Sequence, residues 1–423
     1  MTSSLAEPHR PARRVVVLEP GGAGHQLEWL HHLIDHAAEH AGGWDAIWLV
    51  VPSELVKPLE QGLSGTMRDR IRIVALTPAE ARLCTHSALA VSGFARWWVM
   101  RRYLRRCRAE AGHFLALDHL SLPLALGLGA GGRSVGGILF RPSVHYREIG
   151  PYGPSRRERL RDWRKGVLYR LMLRNSALQS VLSLDPHFAA YAAHHYRLGH
   201  KVASLSDPAH PLVDPSPADR SLAALPPRDR LLFTLFGYLD ERKGVLTLLD
   251  ALGRLPPSIV RRVAVMLAGR IDGAVQAQIA ARRERLRRSC PELWLHVEDR
   301  RLTAGELSAL VRRSDVVLAP YQRFVGSSGV MLWAAQAGRP LLTQDVGLVG
   351  RLVRDHGLGL SIDMSNPMTL AASIEQMVER GADRFFDPEA ARRFVEQRTP
   401  EAFASCIFSS LGIVETRDRA TVQ

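Results

Sequence analysis

Short apolar runs recur along the chain and alternate with longer amphipathic stretches. Each run has the length of a buried strand, and each stretch has the period of a helix with one apolar face. In the first half the runs fall at residues 13–19, 46–51, 70–76, 113–118, 135–141, 177–184 and 201–206, with helices expected between them, as at 24–38 and 155–174. The pattern restarts with runs at 231–236, 262–268, 294–298, 315–320, 340–344 and 359–362. Helices are predicted over 244–253, 273–289, 303–313, 328–337, 347–356 and 367–379, and again over 388–411 with a break near Pro400. This alternation predicts βα units on parallel sheets, hence two doubly wound, Rossmann-like α/β domains.

Between the two series lies SDPAHPLVDPSPADRSLAALPPRDR, residues 206–230. Proline at that density opposes both helix and central strand, so the segment reads as a linker. The expected division is a first domain over 1–206, a linker over 207–230, a second domain over 231–387 and a helical tail over 388–423. A chain of 423 residues exceeds what one hydrophobic core sustains, which agrees with two domains. Ligands of such sheets bind outside the carboxyl ends of the strands, and a cleft between two such domains is the expected site.

Three strand ends carry the candidate chemistry. VVVLEPGGAGHQLEWL, residues 15–30, runs a strand into Gly21, Gly22 and Gly24 and then into a helix. Glycines admit close approach of a ligand to the backbone, and the helix start offers free N–H groups. The spacing is not that of a dinucleotide fingerprint, and a tight turn without ligand fits the same residues. FGYLDERKGVLTLLDAL, residues 236–252, places Arg242 and Lys243 at a helix start. Two cations oppose the helix dipole there, and a bound anion would compensate them; the alternative is a solvated basic turn. DVVLAPYQRFVGSSGVMLWAAQAGRPLLTQD, residues 315–345, opens an apolar helix with Gly326, Ser327, Ser328 and Gly329. Accessible N–H groups and two hydroxyls suit phosphate oxygens, and either serine also suits an N-cap.

These residues resemble the family 4 glycosyltransferases of GT-B fold, over nearly the whole chain and best from 231 to 379. The resemblance rests on Gly237-Tyr238-Leu239-Asp240-Glu241-Arg242-Lys243-Gly244, on Leu267-Ala268-Gly269-Arg270, on the strand 314–320 and on Ala337-Gly338-Arg339-Pro340. It implies two Rossmann-like domains with an interdomain cleft and transfer of a sugar from a nucleotide-diphosphate donor. Arg242, Lys243 and the Gly326–Gly329 loop would hold the donor diphosphate, and Gly269 and Arg270 would lie near the nucleotide. The family's arginine position is Tyr238 here, so Arg242 would take that role. The family's paired glutamates fall at Val325 and Trp333, and neither is acidic. That departure opens the alternative of a non-catalytic nucleotide-sugar or glycan-binding protein of the same fold.

The resemblance further implies an acceptor site on the first domain, with the Gly21, Gly22 and Gly24 loop and three catalytic candidates. His25 follows the loop and could act as a base. Asp118 ends a predicted strand and could orient or deprotonate a hydroxyl. His145 lies in RPSVHYREIGPYGP, a loop with few constraints on its shape. A capped loop histidine or a turn-closing aspartate explains each equally well.

Charge adds acidic partners. Lys and Arg number 56 against 42 Asp and Glu, for a net charge of +14, and only Lys57, Lys165, Lys201 and Lys243 are lysines. FARWWVMRRYLRRCR, residues 94–108, and SRRERLRDWRKGVLYRLMLR, residues 155–174, are basic and aromatic. They fit helices lying on an anionic membrane, and they fit equally helices packed on a sheet with solvated arginines. The charge leaves a nucleic-acid-binding protein as a further alternative, but no nucleic-acid motif is present and no nucleic-acid partner is expected. The four cysteines, Cys84, Cys107, Cys290 and Cys406, are far apart, which predicts neither disulfides nor a metal site. The N-terminus lacks the apolar core of a secretory signal, which predicts a cytoplasmic chain, able to lie on the inner face of a membrane. The expected partners are a nucleotide-sugar donor and a glycan, lipid-linked or small-molecule acceptor, with no resident cofactor. The expected role is cell-envelope polysaccharide biosynthesis.

Overall fold

A computed structural model describes residues 14–22, 26–40, 44–63, 65–151, 153–209, 211–216, 226–322, 324 and 326–412. The chain divides into two compact units, one of residues 1–145, 154–207 and 400–423, the other of residues 146–153 and 208–399.

The first unit begins β1 (Arg14–Leu18), α1 (Gln26–Glu39), β2 (Ala46–Val51), α2 (Ser53–Gln61), β3 (Ile71–Ala75), α3 (Pro78–Cys84) and α4 (Leu89–Arg106). It continues β4 (Ala111–Phe114), α5 (Ser121–Ala125) and β5 (Ser134–Leu139). After α6 (Tyr146–Ile149), which packs in the second unit, come α7 (Arg156–Leu173), β6 (Leu178–Ser183), α8 (Pro186–His195) and β7 (Val202–Ser204). The seven strands form one parallel sheet in the order β3-β2-β1-β4-β5-β6-β7. One face packs on α1 through Trp29, Leu30, Leu33 and Ile34. The other packs on α4 and α7 through Trp97, Met100, Tyr103, Leu104, Tyr169, Met172 and Leu173.

The second unit runs β8 (Leu231–Phe236), α9 (Val245–Leu252), α10 (Pro257–Val260), β9 (Val263–Ala268), α11 (Gly273–Ser289), β10 (Trp294–Glu298) and α12 (Ala304–Arg313). It continues β11 (Val316–Ala319), α13 (Gly329–Gln336), β12 (Leu341–Gln344), α14 (Gly347–Asp355), β13 (Gly359–Ile362), α15 (Pro367–Arg380) and α16 (Pro388–Glu396). Its six strands are parallel, in the order β10-β9-β8-β11-β12-β13. Burial follows sheet position. All six residues of β9, between two neighbours, are buried, while the edge strands β10 and β13 are half-buried throughout. The last helix, α17 (Pro400–Ser410), returns to the first unit and sets Phe403, Ile407 and Phe408 against α1.

Both sheets reverse direction of growth once, between β1 and β4 in the first unit and between β8 and β11 in the second. In such sheets the reversal opens a crevice beyond the carboxyl ends of the two strands.

One core residue carries a measurable consequence. His113 on β4, beside Val17, is fully buried, and both ring nitrogens lack a hydrogen-bond partner among the described residues. Burial lowers its pKa from the ordinary 6.5 to about 3. The unfolded chain therefore binds a proton between those values that the folded chain refuses, so stability falls as pH drops from 6.5 toward 3. This one group should remove about 2 kcal/mol of stability between pH 7 and pH 5. Urea denaturation of His113→Leu should show that much less loss over the interval; an unchanged pH slope would contradict the assignment.

Candidate functional site

At the crevice of the second unit, the chain leaves β8 through Gly237 and forms a 3-10 turn, Glu241–Lys243, before α9. Asp240 fixes the turn by accepting the Lys243 N–H at 2.9 Å. Gly244 follows with φ of 71°. A Cβ on Gly244 would overlap the Pro320 carbonyl oxygen, so glycine allows the turn to press against the end of β11. Lys243 is consequently only 8% exposed. Its Nζ donates to the Phe236 carbonyl at 3.4 Å and the Tyr321 hydroxyl at 3.3 Å. It forms no ion pair among the described residues. Arg242 points outward, half-exposed, with Nε 3.5 Å from Asp240 Oδ2 and its guanidinium over the Phe324 ring.

Tyr321 joins this lysine to the serine-glycine loop. Its hydroxyl lies 2.6 Å from Ser328 Oγ, and both side chains are buried. Ser328 occupies the N-cap position of α13, yet its side chain makes no capping bond. Ser328, one of the two serines expected to cap, is instead turned toward the Tyr321 hydroxyl and leaves the first N–H groups of α13 uncapped by its own side chain. Gly326 is buried and Ser327 is half-buried. Gly269 follows β9 and donates its N–H to the Glu298 carbonyl, and Arg270 beyond it is exposed. Of the sequence candidates, Lys243, Ser328 and the Gly326–Gly329 loop thus come together at the β8/β11 crevice. Tyr321, their connector, was not singled out from sequence; its only signal was a polar aromatic one residue past the strand run. Trp333, at one usual glutamate position, is buried in the core of this unit, and Val325 lies outside the described residues.

The β1/β4 crevice of the first unit holds a second polar cluster. Glu19 follows β1 and is 2% exposed; its Oε1 accepts the Gly21 N–H at 2.7 Å. Burial raises its carboxyl to about 7, against the pull of the Gly21 N–H and the Arg96 charge. Arg96, on α4, is buried and donates to the Cys84 carbonyl at 2.9 Å. Ser92 Oγ lies 3.0 Å from His119 Nδ1. Gly93 lets α4 approach this turn, since a Cβ there would overlap the His119 carbonyl oxygen. Glu19 and Arg96 were missed from sequence; the acidic residue directly before the glycine pair was the available signal.

The three catalytic candidates are placed as follows. His25 and Gly24 lie outside the described residues. Asp118 does not end a strand: β4 stops at Phe114, and Asp118 opens the 3-10 turn Asp118–Leu120. The backbone has already turned there, with the Leu117 N–H donated to Ile138, and Asp118 accepts the Phe140 and Arg141 N–H groups at 2.9 and 3.2 Å. His145 is not in a loosely constrained loop. It ends a 3-10 turn, Ser143–His145, is 1% exposed, donates Nδ1–H to the Pro142 carbonyl at 2.7 Å and sets Nε2 3.0 Å from Asp185 Oδ2. Asp185 in turn caps α8. Lys165, on α7, donates to the Arg141 carbonyl and Ser143 Oγ at 3.4 Å each; burial lowers its pKa, and the Asp118 charge opposes that.

The basic-aromatic segments are the helices α4 and α7. Both pack on the same sheet face, and both carry apolar residues on the opposite side. On α4, Val91, Phe94 and Trp98 are exposed, followed on the same stripe by Arg102 and Arg105. On α7, Leu160, Trp163, Val167 and Leu171 form an exposed stripe, with Trp163 66% exposed. The α7 stripe therefore does not pack on the sheet. Among the described residues no helix is long and apolar enough to cross a membrane, and no group of His, Cys, Asp or Glu could hold a metal ion.

No curated protein matches this sequence. Residues 230–380 match the family model described as "Glycosyl transferases group 1". Among solved structures, HepE of Anabaena in complex with UDP and glucose is similar at a TM-score of 0.60 and 16% identity, covering 95% of this chain and 100% of that one. Sucrose-phosphate synthase of Thermosynechococcus elongatus is similar at 0.65 and 16%, covering 94% and 98%. WaaG, a glycosyltransferase involved in lipopolysaccharide biosynthesis, is similar at 0.58 and 15%, covering 94% and 99%. At these identities the likeness is one of fold. Residues 230–380 of the second unit thus resemble the glycosyl transferases group 1, and the chain has the GT-B fold of these structures.

Proposed function

We propose that the chain transfers a glycosyl group from a nucleoside-diphosphate sugar, held on the second unit, to an acceptor held on the first. The observation that carries this reading is Lys243: a buried cation held, among the described residues, by neutral oxygens and the Tyr321 ring, beside the start of a helix whose N-cap side chain makes no capping bond. A buried charge without a partner is unfavourable, and a diphosphate oxygen would supply one. Because Lys243 donates to the Tyr321 oxygen, the tyrosine proton can go to Ser328 Oγ. That leaves the Ser328 proton for a phosphate oxygen. Lysine, serine hydroxyl and the first N–H groups of α13 then converge on the leaving diphosphate and stabilise the charge that develops on it. HepE is described in complex with UDP-glucose, which agrees with a donor of this class. A thermal-shift series with UDP, GDP, ADP and dTDP tests the reading. At about 100-fold over Kd, one of them should add about 2.7 kcal/mol of apparent stability; no shift with any would oppose it.

A binding-only protein is the second reading, favoured by Trp333 where a carboxylate is usual. Nucleotide binding with no transfer from any nucleotide sugar would support it.

For the acceptor side we infer an anionic membrane surface and a lipid-linked acceptor, as in cell-envelope polysaccharide assembly. Exposed tryptophans on two basic helices of one flank support this, since such helices lie in the interface with arginines toward lipid headgroups. The full chain should sediment with phosphatidylglycerol-containing vesicles and not with phosphatidylcholine alone. Trp98→Ser with Trp163→Ser should weaken that binding by about tenfold per residue. Binding unchanged by both substitutions would remove this face from consideration.

A further inference from the structure

We propose that Glu19 is the acceptor-binding residue of the first unit, its Oε2 taking a hydrogen bond from a hydroxyl of a neutral, polyhydroxylated acceptor. This rests on the reading in which the second unit holds the donor. Glu19 sits at the carboxyl end of β1, one of the two strands bordering the crevice, where ligands of parallel sheets bind. One carboxylate oxygen is fixed by the Gly21 N–H. The other is buried and has no hydrogen-bond partner among the described residues. Arg96, whose Nε donates to the Cys84 carbonyl, attracts the carboxylate, but no ion pair joins the two among the described residues. A buried acceptor atom without a donor is destabilising and is kept where a ligand completes it.

The chemistry of the missing partner follows from its surroundings. Gln26 Oε1, at the first residue of α1 beyond the same loop, is likewise buried without a partner. Both orphan atoms are acceptors, so the complementary ligand presents donors. Glu54 Oε1, from α2, lies 2.9 Å from where a Gly22 Cβ would stand. Two carboxylates therefore border Gly21 and Gly22, which disfavours an anionic acceptor there. Arg96, whose charge acts on Glu19, offsets part of the negative charge that would draw a cation. Hydroxyl groups of a neutral sugar supply donors without adding charge.

Arg96 on α4 is the charge that acts on Glu19, and Glu54 on α2 borders Gly22; Arg96 in turn faces Asp118, the Cys84 thiol, which burial keeps protonated, and His119 in the turn after β4. Burial holds the Glu19 carboxyl near neutrality, and only the ionised form leaves Oε2 a pure acceptor. Acceptor use should therefore rise with pH through about 7.

The test uses the full chain with UDP-glucose and GDP-mannose as donors, and octyl β-glucoside, octyl β-galactoside and octyl β-glucuronide as acceptors. A neutral glycoside should be used better than the glucuronide. Glu19→Gln should lower kcat/KM for that acceptor by about 10- to 100-fold and flatten its rise through pH 7. Nucleotide thermal shifts should stay unchanged in the variant. The variant should be at least as stable as the parent at pH 8, where the parent buries an ion, so melting temperature separates a lost contact from a lost fold. Wild-type kcat/KM and pH profile in Glu19→Gln would overturn the proposal. So would preference for the glucuronide, or nucleotide binding with no neutral glycoside accepted. A parent chain that binds no nucleoside diphosphate would overturn the donor reading, and this proposal with it.

Discussion

Exchanging Lys243 for methionine is expected to lower kcat/KM for the donor by about 10²- to 10³-fold while the fold persists. The size follows from where the charge sits. Lys243 is buried beside the Tyr321 and Ser328 hydroxyls, in surroundings that screen it far less than water would. The bond that breaks in transfer leaves negative charge on the diphosphate, and a fixed cation there is stronger in the transition state than in the ground state. Stability should move the other way. The nucleotide-free protein keeps this ammonium on two neutral oxygens at 3.3 and 3.4 Å. Methionine fills nearly the same volume without a charge to desolvate, so unfolding free energy should be unchanged or higher by about 1 kcal/mol. The nucleotide thermal shift should shrink in parallel with activity. Undiminished turnover in Lys243→Met would refute the site; lost turnover together with a collapsed melting transition would show a structural lysine instead. Ser328→Ala offers an internal comparison, since one hydroxyl bond to a charged oxygen is worth about 1.5–3 kcal/mol.

The sheets were legible because parallel strands buried on both faces read as unbroken apolar runs. VAVMLA at β9 and LLFTLF at β8 match the expected runs to within a residue. Helix limits were legible where proline or a capping residue marks them, as at Asn366 and Pro367, the cap and first residue of α15, and at Thr303 before α12. What escaped the sequence was tertiary. Short turns such as Ser143–His145 and Asp118–Leu120 carry too few residues for a period. The return of α17 to the first unit depends on which apolar faces meet, and a helix pattern does not encode its partner. The same limit applied to the sites. Lys243 and the serine-glycine loop were legible as charge and glycine at strand ends, yet their connector, Tyr321, is 78 residues from Lys243 and has no local signature. Glu19 was hidden by its ordinary appearance; only burial and an unpartnered oxygen set it apart from a surface glutamate. Asp118 and His145 were chosen for chemistry that their surroundings already occupy, with backbone N–H groups in one case and Pro142 and Asp185 in the other.

Gly244→Ala should destabilise the second unit by about 3 kcal/mol or more. Two separate causes add. The residue has φ of 71°, which costs an L-residue about 1–2 kcal/mol. The added Cβ would also overlap the Pro320 carbonyl oxygen and crowd Gln322 Nε2, which is itself bonded to Pro320 and Met364. Neither neighbour can yield easily, because Pro320 follows directly on the buried strand β11. Gly338 separates the two causes: its φ is 64°, but no atom lies within 4 Å of its would-be Cβ. Gly338→Ala should therefore lose only the backbone term, about 1–2 kcal/mol, and the remaining difference in urea midpoints measures the overlap at Gly244. The functional consequence is specific to the first substitution. Pushing the Glu241–Lys243 turn away from Pro320 withdraws Lys243 from Tyr321, so nucleotide binding should weaken in Gly244→Ala even well below its melting temperature. Gly338→Ala should bind nucleotide as the parent does. Equal losses of stability in the two variants, with nucleotide binding intact in both, would mean that the glycine serves only the backbone and that close approach to β11 does not hold the lysine in place.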